Sequence, residues 1–128
     1  MVRPMPAGSK RKSARRCQHN ASVRRAIAAG ADIVGTNCGT ALSLDDYVAL
    51  AQQLVAAAGK VPVIVQPNAG SPHTENGKTI YNATPEEMAA TATRLLAAGV
   101  RIIGGCCGTT PEHLAAMNRA VRCGALAS

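Results

Sequence analysis

The middle of the chain carries the run Val61-Pro62-Val63-Ile64-Val65, a short β-branched segment entered through Lys60. Two similar runs flank it, Ala31-Asp32-Ile33-Val34-Gly35-Thr36 before it and Val100-Arg101-Ile102-Ile103-Gly104 after it. Short β-branched runs bounded by glycine, proline or asparagine are typical of buried strands. The sequence therefore predicts three buried strands.

Helical patterns separate and flank these strands. Ser43, Thr84 and Thr110 each precede a helical pattern and are typical N-cap residues. The order α, β, α, β, α, β, α predicts parallel strands joined by helical crossovers. The predicted helices and their apolar faces are a short helix over Ala21 to Ala29, then Leu44, Val48, Ala51, Val55 and Ala58, then Met88, Ala92, Leu95 and Leu96, and finally Leu114, Met117 and Val121.

The chain is too short for a complete closed barrel of such units. A (β/α)₈ barrel takes about 250 residues, and this chain has 128. The predicted fold class is therefore α/β, either a piece of a barrel or a small open sheet.

The long connection from Pro67 to Ala83 is predicted as a loop with turns at Gly70-Ser71-Pro72 and at Glu75-Asn76-Gly77-Lys78.

The net charge of +7 belongs to the N-terminal arm, because residues 1–30 carry eight basic residues and no acid. From residue 31 onward, there are six basic residues and seven acidic residues. We predict a basic, disordered leader over residues 1–20 and a folded part over residues 21–124. Three interpretations of the arm are open. It is a solvated tail, it binds phosphate backbones or acidic partners through residues 1–25, or it is an organelle transit segment.

Composition excludes several classes of protein. No apolar stretch approaches the roughly 20 residues that span a bilayer, so we expect no membrane segment. With two Tyr and no Phe or Trp, stacking platforms for single-stranded nucleic acid are not expected. No signal-peptide pattern precedes the body, so we expect a cytoplasmic protein whose five Cys stay reduced or bind metal.

Three cysteines follow the carboxyl ends of predicted strands, where parallel α/β folds assemble active sites. Cys38 follows the first strand, and Cys106 and Cys107 follow the third. With one strand between them, these backbones are about 10 Å apart, so the side chains could share a zinc ion. Buried packing and a tight Gly-rich turn are the alternatives. Cys17 and Cys123 have no such placement.

A site of three thiolates on zinc suits one chemistry in particular. It leaves a fourth tetrahedral position free, as catalytic zinc sites do. A thiol with a pKa of about 8.5 becomes thiolate near neutrality when it binds zinc. The net charge of −1 on such a centre favours alkyl transfer to sulfur over activation of water.

Three ordered motifs resemble the homocysteine S-methyltransferase family. They are Gly35-Thr36-Asn37-Cys38, then Gln66-Pro67-Asn68-Ala69-Gly70, then Gly104-Gly105-Cys106-Cys107-Gly108-Thr109-Thr110-Pro111-Glu112-His113. In that order they are similar to the last three strand-end motifs of the family. The Pro-Asn-Ala-Gly motif is most similar to the branch with the homocysteine-binding module of cobalamin-dependent methionine synthase. The resemblance runs from about Arg24 to Arg122.

The resemblance implies a zinc-dependent (β/α)₈ TIM barrel in which Cys38, Cys106 and Cys107 bind the metal. It implies that homocysteine takes the fourth position and is methylated to methionine. Asn68 matches a position that serves as an exchangeable fourth ligand, although a turn-forming role is an equal alternative. The methyl donor, methyl-cobalamin, methylfolate or another methylated small molecule, is implied to lie on other domains.

The chain departs from the family in its first part. It has no Asp-Gly-Ala-rich first-strand motif, and Met1 to Asn20 does not resemble the family. We therefore expect the last three βα units of the barrel, as a truncated fragment or as one half of a split enzyme that needs an N-terminal half. The alternative is a remnant of the enzyme that binds zinc but does not form methionine. His113 is expected to face solvent at the start of the last helix.

Overall fold

The computed structural model describes residues 20–38 and 42–127, with side chains described as far as Cys123. All but the last residue of the predicted leader, together with Cys17, lies outside the described residues. The predictions of a disordered arm and of binding through it therefore remain predictions.

Short strands alternate with longer helices along the described chain. The first helix, α1, covers residues 20–28 and matches the short helix predicted there. The remaining elements are β1 (Val34–Thr36), α2 (Leu44–Ala58), β2 (Val63–Val65), β3 (Pro72–Glu75), β4 (Lys78–Tyr81), α3 (Pro85–Ala97), β5 (Ile102–Ile103) and α4 (Pro111–Ala127).

Three of the strands form a parallel sheet in the order β1-β2-β5. Val34 pairs with Val63, and Val65 pairs with Ile103 at the other side of β2. The prediction of an α/β fold with parallel strands and helical crossovers is confirmed. The described residues form a three-stranded parallel sheet with four helices, and the strands are shorter than the predicted runs.

Two helices begin with complete capping boxes at the residues that the sequence indicated. The Ser43 hydroxyl accepts from the Asp46 backbone N–H at 3.2 Å, and the Asp46 carboxylate accepts from the Ser43 N–H at 2.8 Å. Thr84 and Glu87 make the same exchange at the start of α3. Such reciprocal bonds satisfy backbone donors that an α-helix leaves free at its first turn.

The helices cover one face of the sheet. Val63 and Val65 of β2 point into a core that also includes Tyr47, Leu54 and Leu95. Gly35, Ile64 and Ile102 occupy paired positions on the opposite face, where the Ile102 side chain is 38% exposed. The three predicted strands are therefore buried on one face only, because among the described residues the helices cover only that face.

The long connection after β2 contains a β-hairpin that was predicted as a loop. Strands β3 and β4 pair antiparallel, with Glu75 opposite Lys78. Between them, Asn76 and Gly77 have φ angles of 52° and 76°. Positive φ at both central residues is the type I′ geometry that matches the twist of a hairpin. The predicted turn at Asn76-Gly77 is thus confirmed, but the two strands beside it were missed.

Helix α4 buries only part of the apolar face that was predicted for it. Met117 is 4% exposed, whereas Leu114 is 47% exposed. Leu114 instead lines an open groove of about 460 Å³ between α4 and the edge strand β5. Helix α4 packs mainly on α3, so the expected apolar stripe is only partly covered.

Within the described residues, no helix combines the length and the apolar character that crossing a bilayer requires.

Candidate metal centre

The three cysteines that the sequence predicted to lie close together do lie close together. Cys38 lies just after β1, and Cys106 and Cys107 lie just after β5, with β2 between the two strands. The three sulfur atoms all lie within 4.8 Å of one another. Cys107 Sγ is 3.7 Å from Cys38 Sγ and 4.0 Å from Cys106 Sγ.

The spacing of these sulfurs matches that of thiolates on one tetrahedral metal ion. Zn–S bonds of about 2.3 Å place two sulfurs about 3.8 Å apart across a tetrahedral angle. All three thiols are free, and Cys38 and Cys107 are exposed. The group could therefore hold a soft metal ion with one position open to solvent.

The segment after β2 is hydrogen-bonded to the loop that contains Cys106 and Cys107. The Cys106 N–H donates to the Pro67 carbonyl oxygen at 2.9 Å, and the Ala69 N–H donates to the Cys107 carbonyl oxygen at 2.9 Å. The Asn68 side chain is 1% exposed, and its Oδ1 accepts from the Cys107 N–H at 3.1 Å. These three hydrogen bonds hold the backbone of Cys106 and Cys107 in place.

The ring of Tyr81 lies against the same loop. At Gly108, where φ is 79°, an added Cβ would come within 2.3 Å of Tyr81 Cγ. The pKa of Tyr81 is raised, first by burial of its hydroxyl, then by a hydrogen bond to Cys107 and by the charges of the three cysteines. Sequence analysis missed Tyr81, because only the hairpin brings it to the loop.

His113 is buried rather than facing solvent, so that expectation was wrong. It is 8% exposed. Its Nδ1 accepts from the Thr110 N–H at 3.1 Å, and its Nε2 lies 2.7 Å from the Ala83 carbonyl oxygen. Thr110 and His113 thus form the start of α4 in the manner of a capping box, with imidazole in place of a carboxylate. The Ala83 contact ties this end of the cysteine loop to the chain before α3.

Cys123 lies apart from the cluster. It is an exposed free thiol in α4 and does not belong to the group of three sulfurs. This agrees with its lack of a strand-end position in the sequence. It offers a matched control for substitutions in the cluster.

The fold and the cluster define an α/β protein with a three-thiol site at the carboxyl edge of a parallel sheet. A sequence model of the family described as Homocysteine S-methyltransferase matches residues 5–121. The chain belongs to this family. The match begins at residue 5, so it extends into the segment that we considered unlike the family.

The chain is similar to two methionine synthases. The chain is 35% identical over 97 residues to a methionine synthase from Mycobacterium leprae, covering 73% of this chain and 8% of the relative. It is 34% identical over 94 residues to a methionine synthase from Mycobacterium tuberculosis, covering 72% of this chain and 8% of the relative. The chain therefore spans about 8% of the length of these relatives.

Proposed function

We propose that Cys38, Cys106 and Cys107 bind zinc and that the site serves methyl transfer to the sulfur of homocysteine, giving methionine. The observation that carries this proposal is the convergence of three thiols within 4.8 Å at the ends of two parallel strands. Membership of the homocysteine S-methyltransferase family supports the choice of substrate.

The residues of the chain would contribute in distinct ways. A bound zinc ion would lower the pKa of the homocysteine thiol, so that thiolate is available near neutrality. Three cysteine thiolates would keep the centre electron-rich, with a net charge of −1 before substrate binds. Because Cys38 and Cys107 are exposed, they present the open side of the cluster to an incoming substrate.

Asn68 is a candidate exchangeable ligand, and we propose a positioning role as well. Its Oδ1 accepts from the Cys107 N–H, which supports a role in orienting that residue. The exchangeable-ligand role stays a prediction.

We infer that the described residues are the last three βα units of a (β/α)₈ barrel. Parallel order, helical crossovers and a site at the carboxyl edge of the sheet support this assignment. Further units that hold the homocysteine amino and carboxylate groups would lie in a complementing N-terminal half. The methyl donor, methyl-cobalamin, methylfolate or another methylated compound, would be presented by other domains. Exposed free thiols suit a reducing cytoplasm.

Formation of methionine tests the proposal directly. The reduced, zinc-loaded chain is mixed with homocysteine and methyl-cobalamin, alone and with the N-terminal part of a related homocysteine-binding domain, and methionine is quantified by mass spectrometry. We expect formation that is lost in Cys106→Ala and retained in Cys123→Ala. Formation that survives Cys38→Ala, Cys106→Ala or Cys107→Ala would exclude the zinc mechanism.

Zinc binding without turnover is the second candidate, favoured by the uncovered face of the sheet, where among the described residues the Ile102 side chain is 38% exposed. In that case zinc binds and depends on the three cysteines, but no methionine forms under either condition. The same experiment therefore separates the two candidates.

A further inference from the structure

We propose that His113 is a positioning residue of the metal centre. It closes a ring of hydrogen bonds through the cysteine loop, the segment from Cys106 to Thr110, and so holds the Cys107 backbone in the position that binds metal. This inference rests on the proposed zinc site and adds to it a buried residue of α4, outside the strand-end motifs that carry the cysteines.

The ring starts at the Cys107 backbone and runs through two buried alanines. The Ala69 N–H donates to the Cys107 carbonyl oxygen at 2.9 Å, and the Ala83 N–H donates to the Ala69 carbonyl oxygen at 3.0 Å. Both alanines are buried. The two ends of the segment that contains the hairpin are thus bonded to each other and to the cysteine loop.

The imidazole of His113 completes the ring. Its Nε2 lies 2.7 Å from the Ala83 carbonyl oxygen, and its Nδ1 accepts from the Thr110 N–H at 3.1 Å. A neutral imidazole has one donor nitrogen and one acceptor nitrogen. Because Nδ1 is the acceptor, the proton lies on Nε2, which donates to Ala83. Thr110 ends the cysteine loop, so the ring returns along the chain to Cys107.

The ring holds the cysteine loop at two points. Cys107 is bonded through its carbonyl oxygen, and Thr110 is bonded through its N–H. His113 is buried, and hydrogen bonds in such places are stronger than those in water. Without the Nε2 donor, the Ala83 carbonyl oxygen would lose this partner, and Thr110 would no longer be tied to the segment that holds Cys107.

Loss of this tie should weaken metal binding, because a loop that is not fixed beforehand must be ordered when the metal binds. Loss of the groups that orient metal ligands typically lowers metal affinity about 10- to 100-fold. His113 acts on Cys107 through Ala83 and Ala69, so we expect a loss at the lower end of this range, about tenfold.

Two neutral substitutions separate the roles of the two ring nitrogens. Glutamine offers an amide N–H near the position of Nε2 and an oxygen for the Thr110 N–H, as at the third position of a capping box. Asparagine is one methylene shorter and keeps only an acceptor near Nδ1. His113→Gln should therefore keep the bond to Ala83, and His113→Asn should lose it. His113→Met, which is as long as glutamine but has no donor, should behave as His113→Asn.

Amide hydrogen exchange of the reduced, metal-free chain, measured by NMR well below the unfolding temperature, reports on the ring itself. In His113→Asn, the Ala69 and Ala83 amides should exchange about fivefold faster, as expected from the loss of one hydrogen bond. The Val34 amide, which donates to the Pro62 carbonyl oxygen at the far end of the sheet, should be unchanged. A merely structural role of His113 would speed exchange at all three amides.

Zinc affinity of the same reduced variants, measured by competition with a chromophoric chelator, tests the effect on the metal centre. We expect it to fall about tenfold in His113→Asn and His113→Met and to stay unchanged in His113→Gln. His73→Asn is the matched control, because His73 is exposed in the hairpin, and it should also leave zinc affinity unchanged.

The outcomes separate this inference from the proposed function. Unchanged zinc affinity in His113→Asn, an equal loss in His113→Gln, or faster exchange at all three amides would overturn the positioning role while the zinc site stands. Failure of the unsubstituted chain to bind zinc would overturn the proposed function and this inference with it.

Discussion

At the scale of single residues, two groups without charge shape the cysteine loop. Asn68 fixes the Cys107 backbone through its side-chain oxygen, and Gly108 leaves room for the Tyr81 ring. Neither residue belongs to the cluster of sulfurs, yet Asn68 is hydrogen-bonded to the Cys107 backbone and Gly108 follows Cys107 in the chain. Substitution at these positions therefore tests whether the cluster is preorganised.

Asn68→Ala should destabilise the chain by about 1–3 kcal/mol, because the buried Asn68 side chain is removed and the Cys107 N–H loses its acceptor in a partly buried place. The urea midpoint of the reduced, metal-free protein measures this loss. Asn118→Ala, an exposed position in α4, serves as control and should change the free energy of unfolding by less than about 0.5 kcal/mol. Equal stability of the two variants would show that Asn68 does not hold the loop.

Gly108→Ala should lower both stability and zinc affinity, since φ is 79° and the new Cβ would displace Tyr81. Gly77→Ala is a matched control: its φ is 76°, but open space surrounds it. Both variants carry backbone strain of about 1–3 kcal/mol. Only Gly108→Ala should weaken zinc binding in a chelator competition. A similar loss of zinc affinity in both would argue against a role for the Tyr81 ring.

At the scale of elements, the start of α4 joins the cysteine loop to the rest of the molecule. His113 bonds to Thr110 within this helix end and to the Ala83 carbonyl oxygen before α3. A single side chain thus closes the loop from Cys106 to Thr110 at its far end. The near end is held by the segment after β2.

His113→Ala should destabilise the chain by about 2 kcal/mol, because its hydrogen bonds to Thr110 and to the Ala83 carbonyl oxygen are lost, at roughly 1 kcal/mol for each partner. Chemical denaturation of the reduced protein measures the change. His73→Ala is the control, since His73 is 47% exposed in the hairpin, and it should leave the midpoint nearly unchanged. A His113→Ala variant as stable as His73→Ala would contradict the bridging role.

The elements differ in how far the sequence predicts them. The β-branched runs and the caps at Ser43 and Thr84 are local signals, and the structure confirms them. Strands β3 and β4 were missed because Pro72–Glu75 and Lys78–Tyr81 are mostly polar and mostly exposed, so no apolar alternation marks them. The Asn76-Gly77 turn was the only local sign of the hairpin.

The residues of the site also differ in how far the sequence predicts them. Cys38, Cys106 and Cys107 follow strand ends, and the geometry of parallel sheets places them together. Tyr81 and His113 act through partners distant in sequence, Gly108 and Ala83. No local pattern predicts such contacts, because they depend on where the hairpin and α4 pack.

At the scale of the whole molecule, the described fold leaves one face of its sheet uncovered and has two edge strands, β1 and β5. Ile33 is 49% exposed and Ile102 is 38% exposed. Strand β5 is an edge of the sheet, and the groove between it and α4 is lined by Leu114 and Met117. Open edges with apolar neighbours favour pairing with another chain.

The unsubstituted chain should therefore associate as its concentration rises, and Ile102→Lys should reduce this association by placing a charge at the edge strand. Sedimentation velocity over a range of concentrations measures it. Ile80→Lys in the hairpin is the control, because Ile80 is 37% exposed but lies outside the sheet edge. A monomer at every concentration, or an equal effect of both substitutions, would contradict this view of the edge.

The most direct test of the central claim is the zinc content of the purified, reduced chain after dialysis against metal-free buffer. We expect about one zinc per chain for the unsubstituted protein and for Cys123→Ala, and almost none for Cys38→Ala, Cys106→Ala or Cys107→Ala. Zinc that stays absent while all thiols remain reduced, or zinc retained after loss of Cys107, would show that the three sulfurs do not form a metal centre.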